Sequence, residues 1–165
     1  MVNIGQQPVE AWGGLVTSVG FAACGSIYYA FEGNIHCTGA TIKWLEDRLN
    51  LINCPSEAED IALSIPDNGG VYFVPAFVGL GAPWWNHQAK AIIYGMDLGT
   101  GKAHIVRAAR EAIAYQVKDL VDLMTIQAGI NLKELRVEGG PTKNAFLMQF
   151  QSDMLNAVIN RSNIE

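Results

Sequence analysis

The sequence predicts an α/β domain, and three features point to it. Short β-branched and aliphatic runs broken by glycine, such as GLVTSVGFAA and SIYYAFEGNIHC, give way to segments of helical period. One segment, Lys102 to Gln127, keeps that period far beyond the length of a strand. Near the end, Leu132, Leu135 and Val137 lead into Gly139-Gly140, and a helix-like stretch follows almost at once.

The elements follow in order. The two runs between residues 5 and 37 read as strands, with Gly33-Asn34 as a turn between extended segments. Thr38 is placed to cap a helix running to about Leu51, on which Ile42, Leu45 and Leu49 recur at helical spacing. Pro55-Ser56 opens a shorter helix through Leu63. Its early acids, Glu57, Glu59 and Asp60, sit where the helix dipole favours them.

Asp67-Asn68-Gly69-Gly70 is a turn, and VYFVP after it reads as a buried strand. Ala76 to Gln88 carries glycine, proline and tryptophan without a period, which predicts an ordered surface loop. Ala91 to Met96 reads as a strand. In the long helix Ile105, Ala109, Ile113, Val117, Leu120 and Met124 form one stripe, and Arg107, Arg110, Glu111, Lys118 and Asp122 form a solvated flank. Gly129 suits its C-terminal end. A strand, the glycine turn, a helix and a short strand at Ala157 to Ile159 complete the chain, with no repeats or low-complexity tracts.

Composition excludes several classes. A chain of 165 residues suffices for one domain with a sizeable core. Half the residues are hydrophobic, 16% are charged and the net charge is −5, so no basic stripe serves a nucleic acid. No apolar run approaches the ~18 residues of a membrane helix, and Met1-Val2-Asn3 does not begin a signal peptide. These features predict a soluble cytoplasmic protein. Cys24, Cys37 and Cys54 are odd in number and lack CxxC spacing, and they read as buried free thiols. His36, His87 and His104 are scattered, so no metal ligand or general base is assigned to them.

The chemistry concentrates at Gly139-Gly140. Two glycines at a strand-to-helix turn remove side chains where a ligand approaches the backbone. The N–H groups that start the next helix favour phosphate or carbonyl oxygens, and Pro141 and Thr142 suit its first turn and cap. Asn144, one helical turn in, both donates and accepts. A bare tight turn, with Asn144 facing solvent, is the competing reading.

The segment LRVEGGPTKNAFLMQF, Leu135 to Phe150, resembles the adenine-nucleotide loop of the FGGY carbohydrate kinases, most closely that of glycerol kinases. Three further blocks agree in order and spacing. VYFVPAFVGLGAPWW, Val71 to Trp85, resembles the signature VPAF-x-GL-x-APYW. GATIKWLEDRL, Gly39 to Leu49, is similar to the GAS-IQWLRD helix, and KAHIVRAAREAIAYQ, Lys102 to Gln116, to the helix between them. The loop is nearer the glycerol kinase branch than the xylulokinase branch, although a pentulose or another sugar fits the same fragment.

That resemblance implies a ribonuclease H-like (actin-like ATPase) domain and an incomplete C-terminal half of a two-domain sugar kinase. Residues 1 to 165 then form a single partial nucleotide-binding domain, with the N-terminal domain and the final C-terminal helix absent. The implied reaction is phosphoryl transfer from ATP with Mg2+ to a sugar or polyol hydroxyl. The general base lies upstream of Met1, so no catalytic residue is assigned here and the fragment alone is expected to be inactive. ATP and ADP are the implied ligands, the substrate is shared with the missing domain, and family members often pair as homodimers.

By the same resemblance Gly140 and Asn144 meet the nucleotide, with Gly139 completing the turn. Gly39 matches a position on the phosphate side, or is only a tight helix start. Lys43 stands where glycerol kinases usually carry glutamine; it either holds a terminal phosphate as a point charge or is solvated. Glu138 replaces an aspartate, and Asn86 replaces the acid of APYWD. Trp84 and Trp85 read as packing under the loop rather than as a sugar platform. A degenerate relative, kept for binding or assembly, is the alternative that such departures allow.

Overall fold

The computed structural model describes residues 1–162. Strands β1 (Val2–Gly5), β2 (Val16–Ala23) and β3 (Ser26–Glu32) come first, then helices α1 (Gly39–Asp47) and α2 (Glu57–Leu63). Strands β4 (Tyr72–Val74) and β5 (Ile92–Tyr94) precede the 27-residue helix α3 (Lys102–Ala128). Strand β6 (Glu134–Val137), a 3-10 turn (Gly140–Lys143), helix α4 (Ala145–Leu155) and strand β7 (Val158–Arg161) follow.

The strands pair in three small sheets. β1 and β2 flank β3 antiparallel, β4 pairs antiparallel with β5, and β6 runs parallel to β7 with α4 as the crossover. The β2–β3 hairpin turns at Cys24 and Gly25, both at positive φ (50° and 74°), which matches the right-handed twist of the two strands. The turn expected at Gly33-Asn34 therefore lies nine residues early in the chain's path, at Cys24-Gly25, and β3 stops at Glu32. Asn34 instead accepts a bond from the N–H of Ala82 at 3.0 Å. β1, only four residues long, is too short to show a period and was not expected.

Helix α1 ends at Asp47, earlier than Leu51, and Asn50 at φ 51° turns the chain away. Thr38 makes no side-chain cap bond. Ile42 and Leu45 are buried as the spacing predicts, whereas Leu49 lies past the helix and is exposed. Glu57 secures the entry to α2 by accepting from both the backbone N–H (2.7 Å) and the side-chain amide (2.8 Å) of Asn53.

Helix α3 organises the packing. At its start the Nδ1 of His104 accepts from the N–H of Gly101 at 3.0 Å, and at its end Gly129 adopts φ 64°. Its first half joins Ile42, Leu45, Val71, Phe73 and Leu147 in one core. Its last turns join Leu15 and Phe31 in a second. Between Val106 and Ala114 the helix is almost wholly enclosed by its neighbours, with small alanines allowing close approach.

That enclosure overturns part of the expected solvated flank. Arg110 is 4% and Glu111 3% exposed, because α1, α2, α4 and β4 all pack on this section of α3. Arg107, half-buried, donates to the buried Glu111 at 2.8 Å. Only further along, at Lys118 and Asp122, does the flank pair in partial contact with water as expected.

Three smaller expectations change as well. β4 alternates, with Phe73 buried between exposed Tyr72 and Val74, so it is half-buried rather than buried on both faces. The segment after it is not simply a surface loop: Ala76 and Ala82 are buried, while Trp84 and Trp85 face outward, Trp85 donating to the carbonyl of Gly14 at 2.7 Å. All three cysteines are free as expected, but only Cys37 is buried. Among the described residues, no helix is long and apolar enough to cross a membrane.

Candidate functional site

The turn after β6 begins with Gly139 at φ 96°, a backbone conformation that a side chain would strain. A Cβ added to Gly139 or Gly140 would meet nothing within 4 Å. The two glycines therefore leave open space beside the backbone. The chain then makes a 3-10 turn through Pro141 before α4 begins at Ala145. Thr142 does not cap α4; its hydroxyl donates back to the carbonyl of Gly139 at 2.8 Å. Asn144 is the cap, its Oδ1 accepting from the N–H of Leu147 at 2.7 Å.

The start of α4 is not free for a ligand. The carboxylate of Glu59, from α2, accepts from the N–H groups of Ala145 (3.1 Å) and Phe146 (3.2 Å), and from the Nδ2 of Asn144 (3.0 Å). A protein carboxylate thus takes the place at the positive end of the α4 dipole that was expected for phosphate. The acidic first turn of α2 was the only local sign of this contact, and it pointed to the dipole of α2 itself.

Beside the turn lies a cleft of about 440 Å³. Gly39 and Lys43 of α1, and Gly140 and Asn144 of the turn, share its wall, so four of the five expected residues converge. Gly139 adjoins them through the chain. Ile42, Ile113, Pro55 and Pro141 make the wall largely apolar. Glu59 and Arg110 also line it, and neither was singled out from the sequence. Nothing local distinguishes a buried arginine from a solvated one on a helix of mixed faces.

The charges around the cleft differ in burial. Lys43 sits at its edge, well exposed, and pairs with Asp47 at 3.3 Å on the same helix. Arg110 is buried, with its Nη2 donating to the carbonyl of Pro55 at 2.6 Å and its Nε without a partner. Burial pushes its pKa down, opposed by the nearby charge of Glu59. Glu138 is exposed at the end of β6. A second cavity, about 280 Å³ and bordered by Trp84, Gln116 and Asp119, contains none of the expected residues.

Among the described residues no three His, Cys, Asp or Glu side chains gather where a metal ion would sit. An apolar slot with a glycine-opened wall and cationic groups around it fits a planar group that carries acceptors or negative charge.

A sequence profile of the FGGY family of carbohydrate kinases, C-terminal domain, matches residues 1–164. The chain is 51% identical to glycerol kinase 1 of Thermotoga maritima over 165 residues, all of this chain and 34% of that protein. It is 48% identical to the glycerol kinase of Petrotoga mobilis over 161 residues, 98% of this chain and 32% of that protein. The chain thus spans about a third of the length of these relatives.

Among solved structures, the glycerol kinase of Plasmodium falciparum with ADP superposes with a TM-score of 0.91 at 43% identity, over 98% of this chain and 32% of that one. A ligand-bound xylulose kinase from Lactobacillus acidophilus shares the fold at 20% identity, with a TM-score of 0.78 over 96% of this chain and 32% of that one. The family profile, the identity and the superposition agree along almost the whole chain: it belongs to the FGGY family of carbohydrate kinases and matches their C-terminal domain.

Proposed function

We propose that the chain is the nucleotide-binding lobe of an ATP-dependent, glycerol kinase-like carbohydrate kinase, and that its cleft seats ADP or MgATP. The observation that carries this reading is the convergence of Gly39, Lys43, Gly140 and Asn144 on one cleft, with Gly139 holding the turn open. The ADP complex of the Plasmodium falciparum relative supports it. Identity of about half to glycerol kinases, against 20% to a xylulose kinase, favours a polyol over a pentulose as acceptor.

In this reading the apolar walls hold the base and the opened turn admits backbone contact to the ribose or phosphates. Lys43 leaves Asp47 to meet a terminal phosphate as a mobile point charge. Magnesium arrives with the phosphates of the substrate, in keeping with its preference for phosphate oxygens and retained water. Phosphoryl transfer also needs a carboxylate to take the hydroxyl proton and a second wall to exclude water. Both are assigned to the remaining two thirds of such a kinase, so this chain binds nucleotide and turns nothing over.

Titration calorimetry with ADP and magnesium tests the site. Gly140→Leu fills the cleft without straining the backbone, since Gly140 has no positive φ and open space beside it. Binding by the chain that falls at least about tenfold in the variant is expected, a loss of about 1.4 kcal/mol. Equal binding by both proteins would place the nucleotide elsewhere.

A further inference from the structure

The cavity of about 280 Å³ borders α3 and shares no residue with the cleft. Ile35, Phe73, Leu80 and Pro83 make its wall mostly apolar, and Trp84 stands at its mouth, 64% exposed. Ala112, Gln116 and Asp119 come from successive turns of α3, so they share one helix face.

The polar groups of that face are acceptors. The Nε2 of Gln116 donates to the carbonyls of Cys37 (3.3 Å) and Ala112 (3.1 Å). Two carbonyl partners fix the orientation of the amide and spend both its N–H groups, which leaves Oε1 to accept. The carboxylate of Asp119 has no hydrogen bond or ion pair among the described residues, and its neighbour Lys118 pairs with Asp122 instead. Burial raises the pKa of Asp119 and the charge of Asp122 adds to this, with Lys118 in opposition.

Donors are scarce around these acceptors. The N–H groups of Leu80, Ala82 and Trp84 are spent on the carbonyls of Asn86, Asn34 and Gly81, and Pro83 has none. An anion therefore finds little to hold it. A partly desolvated carboxylate without a counter-charge favours a cation that brings its own donors. An ammonium group offers three donors and no acceptor, and the ring of Trp84 attracts the same charge.

We propose that this cavity binds a small primary amine as its ammonium ion, with Asp119 and Gln116 taking the charged end. The apolar wall takes the body of the ligand. The volume is at the low end for ligand pockets and limits that body to about the size of a single ring.

Phenethylamine is a suitable probe, and 2-phenylethanol carries the same body without the charge. Titration of the 15N-labelled chain at neutral pH, followed in its amide spectrum, reports both affinity and place. Saturable shifts around Gly81, Gln116 and Asp119 are expected, with the amine bound at least about tenfold more tightly than the alcohol. Asp119→Asn is expected to weaken the amine about fivefold and leave the alcohol within about twofold. Trp84→Ala is expected to weaken the amine about threefold. Both positions are exposed, so both variants are expected to keep the native amide spectrum.

Equal binding of amine and alcohol would show an apolar hole without charge recognition and overturn the proposal. So would an amine affinity that Asp119→Asn leaves unchanged, or equal losses of both ligands in that variant. Shifts confined to Gly39, Gly140 and Asn144 would put the amine in the cleft instead. Failure of the folded native chain to bind the amine saturably would overturn the proposal as well.

Discussion

Glu59 and Asn144, 85 residues apart in the chain, share a hydrogen bond of 3.0 Å that ties the start of α2 to the start of α4. The same carboxylate accepts from two backbone N–H groups of α4, and the same amide caps that helix. The residue expected to meet the ligand is therefore also a folding device.

Asn144→Ala removes the cap of α4 and leaves Glu59 short of one donor. The expected loss is about 1–3 kcal/mol, measured by urea unfolding. Asn144→Asp keeps a capping oxygen but sets a second carboxylate against Glu59, and is expected to lose a comparable amount. A change below about 0.5 kcal/mol in both would show that the cap contributes little.

Glu111, itself buried, is the hub of a half-buried polar cluster, accepting from Arg107 at 2.8 Å, Asn68 at 2.8 Å and the hydroxyl of Tyr115 at 3.3 Å. Glu111→Ala strands the guanidinium of Arg107, which also donates to the carbonyls of Ala62 and Ile65. Removing one partner of a buried pair costs roughly 3–5 kcal/mol. Such a loss approaches the whole stability of a small domain, so thermal unfolding of the variant is expected to begin near ambient temperature.

Tyr115 gives the alkaline limit a specific origin. Burial, reinforced by the charge of Glu111, raises its hydroxyl from 10.0 to about 12. Above pH 10 the unfolded chain releases this proton while the folded chain keeps it, so the contribution is complete below pH 10 and is lost as pH rises towards 12. Melting temperature followed from pH 9 to 12 should fall more steeply in the native chain than in Tyr115→Phe. Parallel curves would remove Tyr115 from the account.

Gly95 and Gly140 make a matched pair. Gly95 sits at φ 86°, and a Cβ there would run into the carbonyl oxygen of Gly70 just after β5. Gly95→Ala is expected to cost about 1–3 kcal/mol, whereas Gly140→Ala, with open space and no positive φ, stays within about 0.5 kcal/mol. Chemical denaturation of the two variants under one set of conditions checks the contrast.

Much of the architecture was legible because it is written in local period and turn chemistry. Lys102 to Ala128 repeats its apolar positions for 27 residues, and Gly129 ends it in the left-handed conformation that glycine allows. Pro55-Ser56 and the acids after it mark α2, and Gly139-Gly140 marks the open turn. The hairpin turn was misplaced because Cys24 carries no turn signature and yet adopts φ 50° beside Gly25. Gly33-Asn34, which does carry one, lies beyond the end of β3.

Four short blocks of sequence, read in order, determined by themselves the α/β class, the family and the neighbourhood of the cleft. Tertiary structure alone decided that Arg110 and Glu111 lie inside, that Glu59 occupies the start of α4, and that Asn144 spends its amide on the fold. The physical reason is one of range. Periodicity tells which side of a helix prefers water, but burial of a charged side depends on how many other elements close over it. Those elements come from segments tens of residues away, and only packing brings them to α3.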